Sequence, residues 1–247
     1  MIHSSVIIED GAKIADDVEI GPFCHIGKDV KLSSGCKLES NVILKGKVSV
    51  APNVRIFSFT TIGHDKSNIK IGKNTHIREF VQIGSQEDAN EKAKKIIIGE
   101  NNFVMGYVQI LSGVTTGEYS IFTNAVRLYE NVKCQSRVIV GGLSTIEAGN
   151  TIGKGVMIGG ASCVKTDIPP FTLVEGNKAA VKGLNVVGLR RMLENKDDID
   201  KIKETFKRIM GKILGENVDK ELAAQIASTH ENEYVREFSE FVANSNI

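Results

Sequence analysis

The sequence predicts a mainly β fold: a parallel β-helix of hexapeptide turns followed by an α-helical tail. Three observations carry this. From Ile8, every sixth residue is aliphatic: Ile8, Ile14, Ile20, Ile26, Leu32, Leu38, Leu44, Val50, Ile56 and Ile62. Two residues ahead of each runs a second ladder: Val6, Ala12, Val18, Cys24, Val30, Cys36, Val42, Val48, Val54 and Thr60. Beyond about Asn185 the spacing changes to threes and fours. A period of six is neither the 3.6 of a helix nor the 2 of a simple strand. It marks a solenoid in which each hexad forms one flat side of a coil.

The ladder holds phase to Ile62, slips through Asp65, Lys66, Ser67 and Asn68, and resumes at Ile71, Ile77 and Ile83. Ser85 to Lys95 is polar and has no aliphatic ladder residue, which fits either a loop thrown out from one corner or a solvated insert. The ladder restarts at Ile98 and continues through Val104, Ile110, Thr116, Phe122, Leu128, Cys134, Val140, Ile146, Ile152, Ile158 and Val164. Gly often follows a ladder residue, as at Gly21, Gly63, Gly99 and Gly153, where a side chain would resist close backbone approach. Three hexads close one triangular turn, which gives roughly eight coils, each burying its ladder against its neighbours. Pro169 and Pro170 should end the ladder pairing.

The tail reads as amphipathic helices. Leu189, Met192 and Leu193 start the stripe; Ile199, Ile202, Phe206, Ile209, Met210 and Ile213 extend it, with Gly215 as a candidate C-cap. Leu222, Ala223, Ile226 and Ala227 mark a further helix, and Tyr234, Val235, Phe238 and Phe241 a last one. The division is therefore a β-helix over residues 1–182, with its excursion at about 85–95, and a helical domain over 183–247.

The 247 residues carry a net charge of +1, so no global basic field suggests nucleic acid. Trp is absent, and no base-stacking platform is visible. The N-terminus has no basic stretch leading into an apolar run, and no apolar run nears the ~20 residues of a membrane helix. The expectation is a cytoplasmic chain with no integral membrane segment. The four cysteines lack metal or redox spacing, and no cofactor or metal is expected. Cys24, Cys36 and Cys134 fall on ladder positions as small buried hydrophobes; Cys163 lies off the ladder.

Three stretches carry a resemblance. They are Ile77-Arg-Glu-Phe-Val-Gln-Ile83, Asp167-Ile-Pro-Pro-Phe-Thr-Leu-Val-Glu-Gly-Asn-Lys-Ala179 and Gly183-Leu-Asn-Val-Val-Gly-Leu-Arg-Arg191. With the coil and the helical tail, they resemble the UDP-N-acetylglucosamine O-acyltransferases that begin lipid A synthesis. The resemblance implies a left-handed parallel β-helix of hexapeptide repeats with a C-terminal α-helical domain, assembled as a homotrimer with active sites in clefts between neighbours. It implies transfer of a 3-hydroxyacyl group from acyl carrier protein to the sugar 3-hydroxyl, with a histidine as general base, a backbone N–H as oxyanion donor and no metal.

Carried over by position, the resemblance places Gln109 where the family has its first histidine and Ser112 where it has the general base. Gly113 stands where an acid orients that base. Asn131 and Glu147 replace histidines on the next two coils, and Ala148 replaces a glutamine. Gly142 matches the oxyanion and pantetheine region. Met157, Gly160 and Lys178 match the acyl and pantetheine groove, and Asn185 and Arg191 match nucleotide-binding positions. Val187 and Met192 replace a Glu and an Arg of that nucleotide site.

A serine hydroxyl is not basic enough near pH 7 to take a sugar proton unaided, and losing a positioned base costs about 10²–10⁴ in rate. Two readings follow: an acyltransferase whose base comes from elsewhere, His64 or Glu147, or a non-catalytic trimeric paralogue that binds acyl carrier protein, an acyl chain or a nucleotide-sugar. His64 can also be a solvated corner residue, and Glu147 a surface ion-pair partner. His25, His76 and His230 read as surface or corner residues.

Overall fold

A computed structural model describes residues 1–84, 94–211 and 218–247. Most of them form a left-handed parallel β-solenoid of about nine turns. The strands stack into three sheets of nine, eight and ten strands. The first sheet begins at Ile7–Ile8, the second at Lys13–Ile14 and the third at Glu19–Ile20. One coil is eighteen residues, as in the pairing of Ile7 with His25 and of Ile8 with Ile26. Strands are mostly two residues long because each side is one hexad, whose remaining residues turn the corner.

The ladders form the core. Ile26, Ile56, Ile83, Ile110, Leu128, Ile146 and Ile158 are all fully buried, each stacked on the same position one coil away. Cys24, Cys36 and Cys134 lie among them, and burial pushes the Cys134 thiol up to about 12. Cys163 is half-buried and faces outward beyond Thr145.

Two departures from the eighteen-residue step leave from the same corner, between the first and second sheets. The step is 21 from Thr61 to Gln82 and 27 from Gln82 to Gln109. The first matches the slip expected at residues 65–68. Most of the excursion expected at about 85–95 lies outside the described residues.

The prolines do not stop the pairing. Ile152 bridges to Ile168, and Met157–Ile158 pairs in parallel with Leu173 and Val174, a step shortened to sixteen. Pro170 instead closes over Gly153, where any Cβ would collide with its ring nitrogen. The Thr172–Glu175 strand then pairs antiparallel with Ala180–Leu184, the edge of the third sheet.

Four helices follow. Helix α1 is Val186–Met192, α2 Lys196–Met210, α3 Lys220–Thr229 and α4 Glu233–Asn244. Asn185, Asn195, Asp219 and Asn232 cap their N-termini by accepting first-turn N–H bonds. Helix α2 is capped at Gly211, with φ 71°; Ile213 and Gly215, expected in its stripe and at its C-cap, lie outside the described residues. Ile202, Ile209, Met210, Val235 and Phe238 close the helical core.

Candidate functional site

The corners flanking the first sheet hold the candidate residues in two separate groups. Between the first and second sheets lie Ser112 and Asn131, one coil apart, with the Asn131 N–H bonded to the Ser112 carbonyl at 2.9 Å. Ser112 Oγ accepts the Lys94 N–H at 2.9 Å and faces the Lys94 carbonyl at 3.4 Å. Lys94 Nζ reaches Asn131 Oδ1 at 3.0 Å. Gly113 packs beneath this bridge with φ +75°; a Cβ there would lie 2.6 Å from Asn131 Oδ1 and 3.3 Å from Lys94 Cβ. An acidic side chain at 113 would have to displace the Asn131 amide and adopt a left-handed backbone. Lys94 was not a candidate in the sequence, because its place opposite Ser112 depends on how the chain returns from the long step.

Gln109 sits on the outer face of the first sheet between Gln82 and Arg127. Glu147 forms an ion pair with Lys165 at 3.1 Å, which raises the Lys165 ammonium above its ordinary value. This is the surface pairing that the alternative for Glu147 described.

His64 is not a solvated corner residue: it is 7% exposed, and its Nδ1 accepts the Lys66 N–H at 3.4 Å. The three-residue insertion folds over it, with Ser67 Oγ accepting its N–H at 3.0 Å. It lines a cleft of about 250 Å³ with Lys45, Thr61, Asp65 and Gln82. Two coils separate it from Ser112, roughly 10 Å at the ~4.8 Å spacing of neighbouring strands. His25 bonds Glu9 Oε1 at 2.7 Å, and His76 tilts against Phe103. His230 lies at the end of α3.

The second group lies between the third and first sheets. Gly142 and Gly160 stack there, and the Gly142 carbonyl accepts the Ala161 N–H at 2.8 Å. A Cβ on Gly160 would come 3.3 Å from that carbonyl oxygen, so the two glycines allow close backbone stacking beside half-buried Met157. Along the same corner, Phe59, Phe80 and Tyr107 form a column of parallel rings at 5.1 and 5.0 Å. Tyr107 is 61% exposed, and Leu143, further along, is 72% exposed. Lys178 is exposed in the turn after Thr172–Glu175. Asn185 caps α1 and donates from Nδ2 to the Gly155 carbonyl at 3.0 Å, while Arg191 is exposed in the last turn.

One chain thus places Ser112 and Gly142 on opposite edges of the same sheet. Among the described residues, no group of three or more His, Cys, Asp or Glu could hold a metal ion, and no helix is long and apolar enough to cross a membrane.

The family model described as "Udp N-acetylglucosamine O-acyltransferase; Domain 2" matches residues 167–247. The acyl-[acyl-carrier-protein]–UDP-N-acetylglucosamine O-acyltransferase of Aliarcobacter butzleri is 39% identical over 255 residues, covering 99% of this chain and 95% of its own. The chain belongs to the UDP-N-acetylglucosamine O-acyltransferase family. The solved acyltransferase of Campylobacter jejuni superposes with a TM-score of 0.89 at 32% identity, covering 100% of this chain and 97% of that one. The Acinetobacter baumannii structure gives 0.86 at 30% identity, covering 99% and 97%. Membership thus extends across both the solenoid and the helices.

Proposed function

We propose that the chain serves the acyl-transfer step of lipid A synthesis, as a homotrimer that binds acyl carrier protein thioester and UDP-N-acetylglucosamine, and that it transfers the acyl group slowly. The full-length match in sequence and fold to the acyltransferases supports the substrates. In the reaction the sugar hydroxyl oxygen bonds to the thioester carbon, the carbon–sulfur bond breaks, and the hydroxyl proton ends on the departing thiol. Ser112 faces the Lys94 backbone, and its neighbours are a lysine and an asparagine. None of these accepts a proton readily at neutral pH, so transfer lacks the factor of about 10²–10⁴ that a positioned base supplies.

The separation of the two groups supports an assembly of copies, which we take to be the trimer. Ser112 and Gly142 can face each other only if a neighbouring copy brings its opposite corner alongside, and the exposed aromatic column is the apolar surface such a neighbour would cover. The nucleotide would be held by Asn185 and Arg191, and the acyl chain by Met157, Gly160 and Lys178, with Gly142 at the oxyanion.

The test is acyl transfer from carrier-protein thioester to UDP-N-acetylglucosamine. Slow turnover that survives both His64→Ala and Glu147→Ala is the expected result. Turnover as fast as in histidine-bearing relatives would overturn the slow site. The Lys94–Asn131 bond, which closes the corner, favours a second reading: a partner that binds without transferring. Tight carrier binding with no turnover would select it.

A further inference from the structure

The first coils of the third sheet carry a cavity of about 610 Å³ that neither reading uses. It lies between residues 1–4 and the outer face of the strands Glu19–Ile20, Lys37–Leu38 and Arg55–Ile56. Backbone bonds fix the short segment. The Ile20 N–H donates to the Met1 carbonyl and the His3 N–H to the Ile20 carbonyl, each at 2.9 Å. Met1 and Ile2 present exposed apolar side chains, and Pro22 and Phe57 line the side where the sheet turns towards its next corner. Hydrocarbon placed there leaves water favourably.

One wall is charged. Glu19, Lys37, Arg55 and His76 stand in a row, each one coil from the last. Lys37 Nζ meets Glu19 Oε1 at 2.7 Å. The hydrogen bond and charge of Lys37, with the Met1 ammonium and Arg55 behind them, hold the Glu19 carboxyl below its ordinary range. Arg55 is exposed and makes no ion pair among the described residues. Glu39, the other carboxylate of the cavity, accepts the Ser58 hydroxyl at 3.1 Å. Three cations thus meet two carboxylates, and Arg55 stands between Lys37 and His76. Like charges on neighbouring strands are unfavourable unless an anion offsets them. Gly84 and Lys94, which flank residues outside the description, lie on the far side of the coil, at the corner between the first and second sheets.

We propose that this cavity binds a small amphiphilic monocarboxylate, its carboxylate on the Arg55 guanidinium and its apolar body against Met1, Ile2 and Phe57. One positive charge in excess matches a monoanion, and a guanidinium fork matches the two oxygens of a carboxylate. Apolar walls around a few polar groups are the usual lining of a small-molecule site. The site stands apart from the proposed acyl position. Four coils separate Arg55 from Ile139, just before Gly142, which is roughly 19 Å at ~4.8 Å per coil. It takes a free carboxylate rather than a thioester, so it does not rest on acyl transfer.

The experiment is calorimetric titration of the full chain with octanoate, with acetate as the arm that lacks the apolar body and octylammonium as the arm of opposite charge. Octanoate should bind more tightly than either and weaken with salt. Its affinity should fall about tenfold or more in Arg55→Met, and less in Arg55→Lys, which keeps the charge but loses the fork. Ile2→Glu, which sets a like charge on the apolar wall, should weaken binding as well, and it decides if Arg55→Met does not fold. No binding of octanoate by the unaltered chain, acetate or octylammonium binding as tightly, or undiminished binding in Arg55→Met and Ile2→Glu would each overturn the proposal. So would loss of octanoate binding in Met157→Arg with binding intact in Arg55→Met, since the probe would then be occupying the acyl position.

Discussion

The two corners beside the first sheet share one backbone repeat and carry opposite chemistry. The corner entering the sheet presents Phe59, Phe80 and Tyr107, each at φ near +60°. An L residue pays about 1 kcal/mol or more for that conformation, and ring stacking at about 5 Å offsets it. The corner leaving the sheet presents Ser112, Asn131 and Lys94, joined by hydrogen bonds rather than packing. Both chain insertions leave from this second corner. The coil dictates where side chains stand, and the ladder beneath is indifferent to what they are. An edge can therefore lose its proton-transfer chemistry without disturbing the core.

On the proposed reading, the largest effect should come from supplying a base at that corner. Ser112→His should raise turnover by about 10²-fold or more and make the rate climb with pH through ~6.5, as a histidine base demands. A rate–pH profile checks both; a flat, unaccelerated profile would mean that the polar corner lacks more than a base. Adding Gly113→Asp should lower the melting temperature, because the new Cβ meets Asn131 Oδ1 and the backbone there is left-handed.

A smaller effect tests the apolar corner. Phe80→Ala removes both ring stacks, for a loss of about 1–3 kcal/mol beyond buried area. Sedimentation should show a smaller species if the column is a subunit contact, whereas an unchanged species would assign the rings to the single chain alone.

The smallest effect concerns His76, four residues before Phe80. Burial holds its imidazole below the ordinary value, with Arg55 adding repulsion. The folded chain therefore binds fewer protons there than the unfolded chain. That stability is complete above the unfolded value of ~6.5 and declines as pH falls towards the folded one. His76→Phe should flatten this decline in urea midpoints between about pH 7 and about pH 5. A slope equal to the parent's would locate the sensitivity elsewhere.

The solenoid was legible because Ile110, Leu128 and Ile146 repeat one physical demand, burial against an identical neighbour. The helices were legible from their stripes, with Gly211 capping α2. The strand after Pro170 was missed because the prolines sit in the turn, leaving the N–H groups of Thr172–Glu175 free to pair. The aromatic column was not legible: Asn41 and Ala125 interrupt its repeat, and positive φ leaves no mark on a sequence. The candidate positions were legible only as replacements. Their new partners were not, since Lys94 returns from the long step and Arg127 lies on the sheet face between the corners.

The reversed Ala180–Leu184 strand has a consequence for length. A stack of parallel coils is open-ended by nature, and its last edge offers the same template as every edge before it. Here the final strand runs backwards, so a further forward coil would find its N–H and C=O groups out of order. The reversal acts as a terminator, and in this sheet it limits a structure that could otherwise grow like a fibre.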